Sequence, residues 1–304
     1  MGARIVLDGE NIEKFKAMTF PEYRVLLNEP SGNSGLICIV SENETHPEGL
    51  LISKVDPHKR IADILSVFVR KECRKTGIAQ EMLQLLEMRL SALDIQSVEL
   101  KYTVKDDQPQ PVENLLRKLG WPASNLRMML FDIEIEKLVS ANWVEDIKDA
   151  QDDYQISYWH NVSELELARL QSASWIPTEL SPSKHQYQGL DGKAIIPELS
   201  FVLRCNEEII GWHFTHKIDA ETARFSVSYI HPKFQQNLLL VKLWYHAGIE
   251  AQRVGYKRVK LGASIRHKQM MQFCERYLGP LATKIDYSKG AFKLLQTQEE
   301  AVWV

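Results

Sequence analysis

Apolar positions along this chain switch between a strand period and a helix period, and the switches mark its elements. A helical region from Asn11 to Asn28, interrupted near Pro21, precedes a hairpin pattern from Leu36 to Val55 whose polar turn holds Asn43 to Gly49. Ile64-Leu65-Ser66-Val67-Phe68-Val69 is a buried-strand run inside a strand expected from Asp63 to Val69. Helical spacing then takes over: Met82, Leu83, Leu85, Leu86, Leu90 and Leu93 mark a helix from Gln80 to Leu93. Ser97 to Tyr102 alternates as a strand. Val112 to Leu119 is helical and stops at Gly120-Trp121-Pro122, and Met128 to Ile135 returns as a strand.

The second half repeats this pattern. A constant offset of 161 places Asp63 on Arg224, Val69 on Ile230, Arg74 on Gln235 and Val98-Glu99-Leu100 on Val259-Lys260-Leu261. Strands are expected at Phe201 to Arg204, Ile209 to His216 and Ala223 to Ile230, with a helix from Leu238 to Val254. Ser140 to Asp153 carries five acidic residues and few apolar ones and reads as a linker. At 304 residues the chain suits two such domains, 1–140 and 154–304, joined by 141–153.

Between the strand ending at Val69 and the helix beginning at Gln80 lies Arg74-Lys75-Thr76-Gly77-Ile78-Ala79. Backbone N–H groups at a helix start have no intrahelical acceptor and sit at the positive end of the helix dipole, so such a loop can cradle an anion. Gly77 keeps a Cβ out of the way of an approaching phosphate. The hexapeptide resembles the Gln/Arg-x-x-Gly-x-Gly/Ala signature of the GNAT acyltransferases, where it holds the pyrophosphate arm of coenzyme A, and the element order of residues 1–140 matches that family. The resemblance implies an α/β (α+β) fold of two tandem GNAT-like domains, each a mixed, mostly antiparallel central sheet flanked by helices. It implies acetyl-CoA as co-substrate, with Arg74, Lys75, Thr76, Gly77, Ile78 and Ala79 at the pyrophosphate. Val67 would supply the backbone amide for the oxyanion, and Val69 would pair with the pantetheine arm. In the second copy the loop reads Gln235-Gln236-Asn237-Leu238-Leu239-Leu240, so both cations and the glycine are lost. One acyl-CoA site is therefore expected, in the first domain. The second is a degenerate unit with an acceptor-site or structural role.

The implied reaction is attack of a small-molecule primary amine on the thioester. Such an amine needs a base, because it is protonated at neutral pH. Asp63 lies where histone-acetylating relatives carry a catalytic glutamate; its other reading is a strand-edge carboxylate salt-bridged to Arg60. The family's leaving-group tyrosine is replaced by Leu116, which leaves Tyr102 as a candidate proton donor or a packed strand aromatic. Alternative functions are transfer from a longer acyl-CoA or an aminoacyl-tRNA, or non-catalytic acyl-CoA binding in regulation. Trp212 to His216 alternates on a strand, either lining an acceptor pocket or forming core with a satisfied or solvated histidine. Trp175 to Leu190 reads as a connecting loop or a lid, and the apolar tail Ala301 to Val304 as a sheet edge or partner contact.

A net charge of −3 argues against a nucleic-acid partner. The absence of a long apolar run or a signal-peptide pattern makes the cytoplasm the expected compartment and a membrane partner unexpected. Homodimerisation fits the family. The four cysteines, Cys38, Cys73, Cys205 and Cys274, form no ligand-spaced pair, so neither a disulfide nor a metal is expected. Cys73 adjoins the basic loop and is either a reactive thiol or an incidental small residue.

Overall fold

In the computed structural model, residues 2–7, 10, 12–28, 35–105, 110–148, 154–182, 194–235 and 238–295 are described. The strands are β1 (Arg4–Ile5), β2 (Leu36–Glu42), β3 (Pro47–Asp56), β4 (Ile61–Val69), β5 (Ser97–Val104), β6 (Asn125–Glu134), β7 (Tyr154–Tyr158), β8 (Phe201–Cys205), β9 (Glu208–Lys217), β10 (Thr222–Ile230), β11 (Arg258–Ser264) and β12 (Ala282–Leu294). They belong to two compact units.

In the first unit the sheet order is β1-β2-β3-β4-β5-β12, antiparallel except for β4 beside β5. Helix α2 (Ile78–Ala92) buries Met82, Leu83, Leu86 and Leu90 against one face, at the spacing the sequence predicts. Helix α3 (Pro111–Lys118) adds Leu116 to the same core. It starts with Pro111 in its first turn and with Glu113 accepting the Gln110 N–H at 3.2 Å. Phe15, Met18 and Leu27 cover the opposite face. The region expected to be helical from Asn11 to Asn28 is mostly 3-10, with one α-helical turn, α1 (Pro21–Arg24), where Pro21 restarts the chain.

The second unit has the order β6-β11-β10-β9-β8-β7, antiparallel except for β10 beside β11. Helix α7 (Leu239–Arg253) packs as α2 does, and α8 (Lys268–Tyr277) matches α3. Each unit thus holds a mixed, mostly antiparallel sheet flanked by helices.

The repeat boundary differs from the sequence expectation. The first unit comprises Met1–Arg127 and the segment from Tyr287, while Met128–Asp286 form the second. The last strand of each repeat has changed units: Met128–Glu134 pair with β11, and Tyr287–Leu294 pair with β5. The expected linker is also not one as far as residue 148. There α4 (Ile135–Val139) and α5 (Val144–Lys148) enclose buried Ala141, Trp143, Val144 and Ile147, and Trp143 Nε1 donates to the Tyr277 carbonyl at 3.2 Å. Charge count hid four apolar residues that the fold uses. Residues 149–153, 183–190 of the expected lid loop and the 301–304 tail lie outside the described residues. Helix α6 (Glu164–Ser172) is closed by a Ser163–Glu166 capping box. No described helix is long and apolar enough to cross a membrane.

Candidate active site

β4 and β5 pair only over Ile61–Ile64 with Ser97–Leu100. The next residue, Leu65, is a β-bulge: Ile52 faces Ser66 and Ser53 faces Ile64, leaving Leu65 unopposed. Beyond it β4 keeps β3 and β5 keeps β12, so the two strands part and open a cleft. The Arg70 N–H donates to the Glu48 carbonyl on β3 at 2.9 Å. Successive N–H groups alternate sides along a strand, so those of Val69 and Val67 face the opening. The Val69 carbonyl, on that same side, accepts from Arg74 Nε at 3.1 Å.

The chain then turns through a 3-10 segment at Lys71–Cys73 into the basic loop. Thr76 Oγ1 donates to the Cys73 carbonyl at 2.7 Å, and Lys75 and Gly77 take left-handed φ values of 68° and 97°. Gly77 is the N-cap of α2, and a Cβ built there would meet nothing within 4 Å. A side chain at residue 77 would thus project into open space beside the first helical N–H groups, where a phosphate would approach. Arg74, Lys75, Thr76 and Gly77 are exposed, with Ile78 and Ala79 half-buried behind them. Val67, Val69 and the loop therefore line one continuous edge from bulge to helix start, a fit for the pantetheine and pyrophosphate of an acyl-CoA.

Asp63 and Tyr102 are not brought together. Lys101 and Tyr102 are neighbours on β5 and point to opposite faces. Lys101 Nζ donates to Asp63 Oδ1 at 2.9 Å and contacts Glu99 at 3.0 Å; Arg127 meets Glu99 at 3.2 Å. Burial acts to lower the Lys101 pKa, but the two carboxylates outweigh it and hold it raised. Asp63 thus pairs with Lys101 rather than with Arg60, whose guanidinium is taken by Asp94. The Tyr102 hydroxyl, on the other face, donates to Glu113 Oε1 at 3.0 Å, and Lys289 Nζ reaches the same oxygen at 3.1 Å. Burial, aided by Glu113, raises the Tyr102 pKa. Leu116, at the family's tyrosine position, is buried in the core. The bulge at Leu65 and the Lys101 partner of Asp63 were missed by sequence reasoning; neither leaves a residue-type signal.

The second unit repeats this architecture at the same offset of 161. β10 pairs with β11 only over Thr222–Phe225, and Ser226 is the bulge, matching Leu65. Gln235 Nε2 donates to the Ile230 carbonyl at 2.9 Å, in the place of Arg74 and Val69. Leu238 caps α7 at φ 52° where Gly77 caps α2. His213, whose partner Ser228 matches Val67 and which therefore stands at the position of Leu51, is fully buried and bonded to Ser228 and Thr215 at 2.8 and 2.9 Å. It is therefore the satisfied histidine of a core rather than a pocket wall.

Residues 8–121 match the family described as acetyltransferase (GNAT). No curated protein matches the sequence. Among solved structures, the chain is similar to a tandem GNAT protein from the clavulanic acid biosynthesis pathway, at 10% identity and a TM-score of 0.68 over 97% of this chain and 99% of that one. It is also similar to a GCN5-related N-acetyltransferase from Sphaerobacter thermophilus (13% identity, TM-score 0.59, 86% and 81% covered) and to a GNAT-family acetyltransferase from Colwellia psychrerythraea (9% identity, TM-score 0.55, 96% and 100% covered). These likenesses give the fold. Residues 8–121 thus match the acetyltransferase (GNAT) family, and the chain as a whole has the fold of a tandem GNAT protein.

Proposed function

We propose that the protein is an acetyl-CoA-dependent N-acetyltransferase acting on a primary amine of a small molecule, with its one acyl-CoA site in the first unit. The observation that carries this reading is the cleft opened by the Leu65 bulge, edged by the Val67 and Val69 amides and closed by the Arg74–Ala79 loop. Acetyl-CoA supplies an activated thioester when bound. The first N–H groups of α2, with Arg74 and Lys75, would hold its pyrophosphate, Val69 its pantetheine, and the Val67 N–H its thioester oxygen as charge develops there. Backbone donors fixed in a strand need no reorganisation, and one such donor is worth about 10²–10³ in rate.

Asp63 is assigned as the base. Lys101 occupies Oδ1, and no described residue is bonded to Oδ2. That oxygen can take the amine proton directly or through a water. Tyr102 is assigned a positioning role: its proton goes to Glu113, and that contact ties β5 to the start of α3. The test is release of free thiol from acetyl-CoA across a panel of primary amines, with wild type and Asp63→Asn. The expected result is turnover with at least one amine and a kcat lowered by about 10²–10⁴-fold in the variant. Binding of acetyl-CoA without turnover by any amine would favour the regulatory reading.

A further inference from the structure

One cluster outside the cleft has metal chemistry. His46, Glu48 and Cys73 bring an imidazole nitrogen, a carboxylate oxygen and a thiol sulfur within 4.8 Å of one another. Cysteine spacing gave no hint of it, because the fold joins residues from the β2–β3 turn to the 3-10 segment before the basic loop.

Neighbouring groups prepare the donors. Thr45 Oγ1 donates its one proton to Asn43 Oδ1 at 2.9 Å, so in its 2.8 Å contact with His46 Nδ1 it must accept. With the imidazole proton on Nδ1 the lone pair lies on Nε2, which Asn43 Nδ2 approaches at 3.5 Å and which an ion would take over, the arrangement of a metal-binding histidine oriented by its surroundings. Glu48 is held at both oxygens, by Asn43 Nδ2 at 2.9 Å and Ser41 Oγ at 3.3 Å, and Cys73 Sγ stands 4.0 Å from Oε1. Donors sharing one tetrahedral zinc at about 2.0–2.3 Å lie roughly 3.5 Å apart. A thiolate and a carboxylate offset the charge of a divalent ion, and the sulfur and imidazole favour a borderline-soft cation over magnesium or calcium.

We propose that His46, Glu48 and Cys73 form a mononuclear site for a zinc-like divalent cation, with its fourth position open to water. Loading releases the Cys73 thiol proton to solvent as the metal–sulfur bond forms. A bound ion also pins Cys73, whose carbonyl anchors Thr76 in the loop. Its occupancy then alters acetyl-CoA affinity, a consequence that rests on the acyl-CoA reading above, whereas metal binding itself does not.

The experiment is titration of the chelator-stripped full chain with Zn²⁺ against a chromophoric chelator, and with Co²⁺ to read the thiolate-to-metal charge-transfer band, both without acetyl-CoA. One equivalent should bind and the band should appear. Cys73→Ser should abolish the band, and His46→Ala and Glu48→Gln should each weaken Zn²⁺ at least tenfold, while Cys205→Ser changes neither. A band that survives in Cys73→Ser, no stoichiometric binding, or affinity indifferent to His46→Ala would overturn the site. If Zn²⁺ binds as expected but leaves acetyl-CoA affinity unchanged, the metal site stands and the coupling is rejected.

Discussion

The loops entering α2 and α7 share turn geometry at their described positions, 74 and 77 against 235 and 238, and carry opposed chemistry. Both follow a bulged strand and a short 3-10 segment, and both send an Nε-type donor from the residue 161 apart, Arg74 or Gln235, to the carbonyl ending the strand. Both helices begin after a left-handed residue, at φ 97° for Gly77 and 52° for Leu238. The first loop presents two cations and an open glycine; the second presents amides and a leucine. The hydrogen bonds that shape the turn tolerate Arg-to-Gln exchange, whereas under the proposed function pyrophosphate recognition would need the charge and the missing Cβ.

The largest predicted difference between the two units is their response to acid. Burial pushes the His213 pKa down to about 3, whereas an unfolded histidine titrates near ~6.5. Between these values the unfolded chain binds the extra proton. Stability is therefore full above about pH 6.5 and falls by about 1.4 kcal/mol per pH unit toward pH 3. His246, also lowered by burial, adds in the same sense. Replacing His213 by leucine, the residue at the equivalent position Leu51, should flatten this slope by about one proton in urea-unfolding curves recorded from pH 7 to 4. An unchanged slope would place the acid sensitivity elsewhere.

Next in size is the comparison of the paired donors. Arg74→Ala should weaken acetyl-CoA about ten- to hundredfold by calorimetry, the loss of one charge-assisted contact at about 1.5–3 kcal/mol. Gln235→Ala should leave that affinity unchanged. Equal effects would mean that the second loop also binds.

The smallest effect concerns strain. Leucine at a left-handed φ costs about 1 kcal/mol. Leu238→Gly should thus leave stability unchanged or raise it by up to about 1 kcal/mol, while creating no acetyl-CoA site, because the cations are still missing. New binding in that variant would show that the Cβ alone had silenced the loop.

Much of this comparison was legible in the sequence because it depends on side chains. The apolar spacing of Met82, Leu83, Leu86 and Leu90, the glycine at 77 and the offset of 161 are written in residue types, and the fold follows them. What escaped depends on backbone or on long-range pairing. The bulge at Leu65 needs no special residue, since a leucine serves there and a serine, Ser226, serves in the repeat. The exchange of last strands was hidden because Tyr287–Leu294 has the pattern of any strand and its partner is chosen by topology. Asp63 was legible as a carboxylate on the right strand, but its partner Lys101 lies 38 residues away on β5. The Trp143 segment was misread because acidic residues outnumber the apolar ones that pack.

The most direct test of the one-site account is thermal unfolding of wild type and Gly77→Leu, each with and without saturating acetyl-CoA. A Cβ at residue 77 meets no protein atom, so the variant should fold, at a cost of roughly 1–2 kcal/mol for leucine at positive φ. A ligand at 100-fold its Kd stabilises the folded state by about 2.7 kcal/mol. The account predicts a clear rise in Tm for wild type and none for Gly77→Leu. An equal rise in both would place the acyl-CoA site away from this loop and contradict the account.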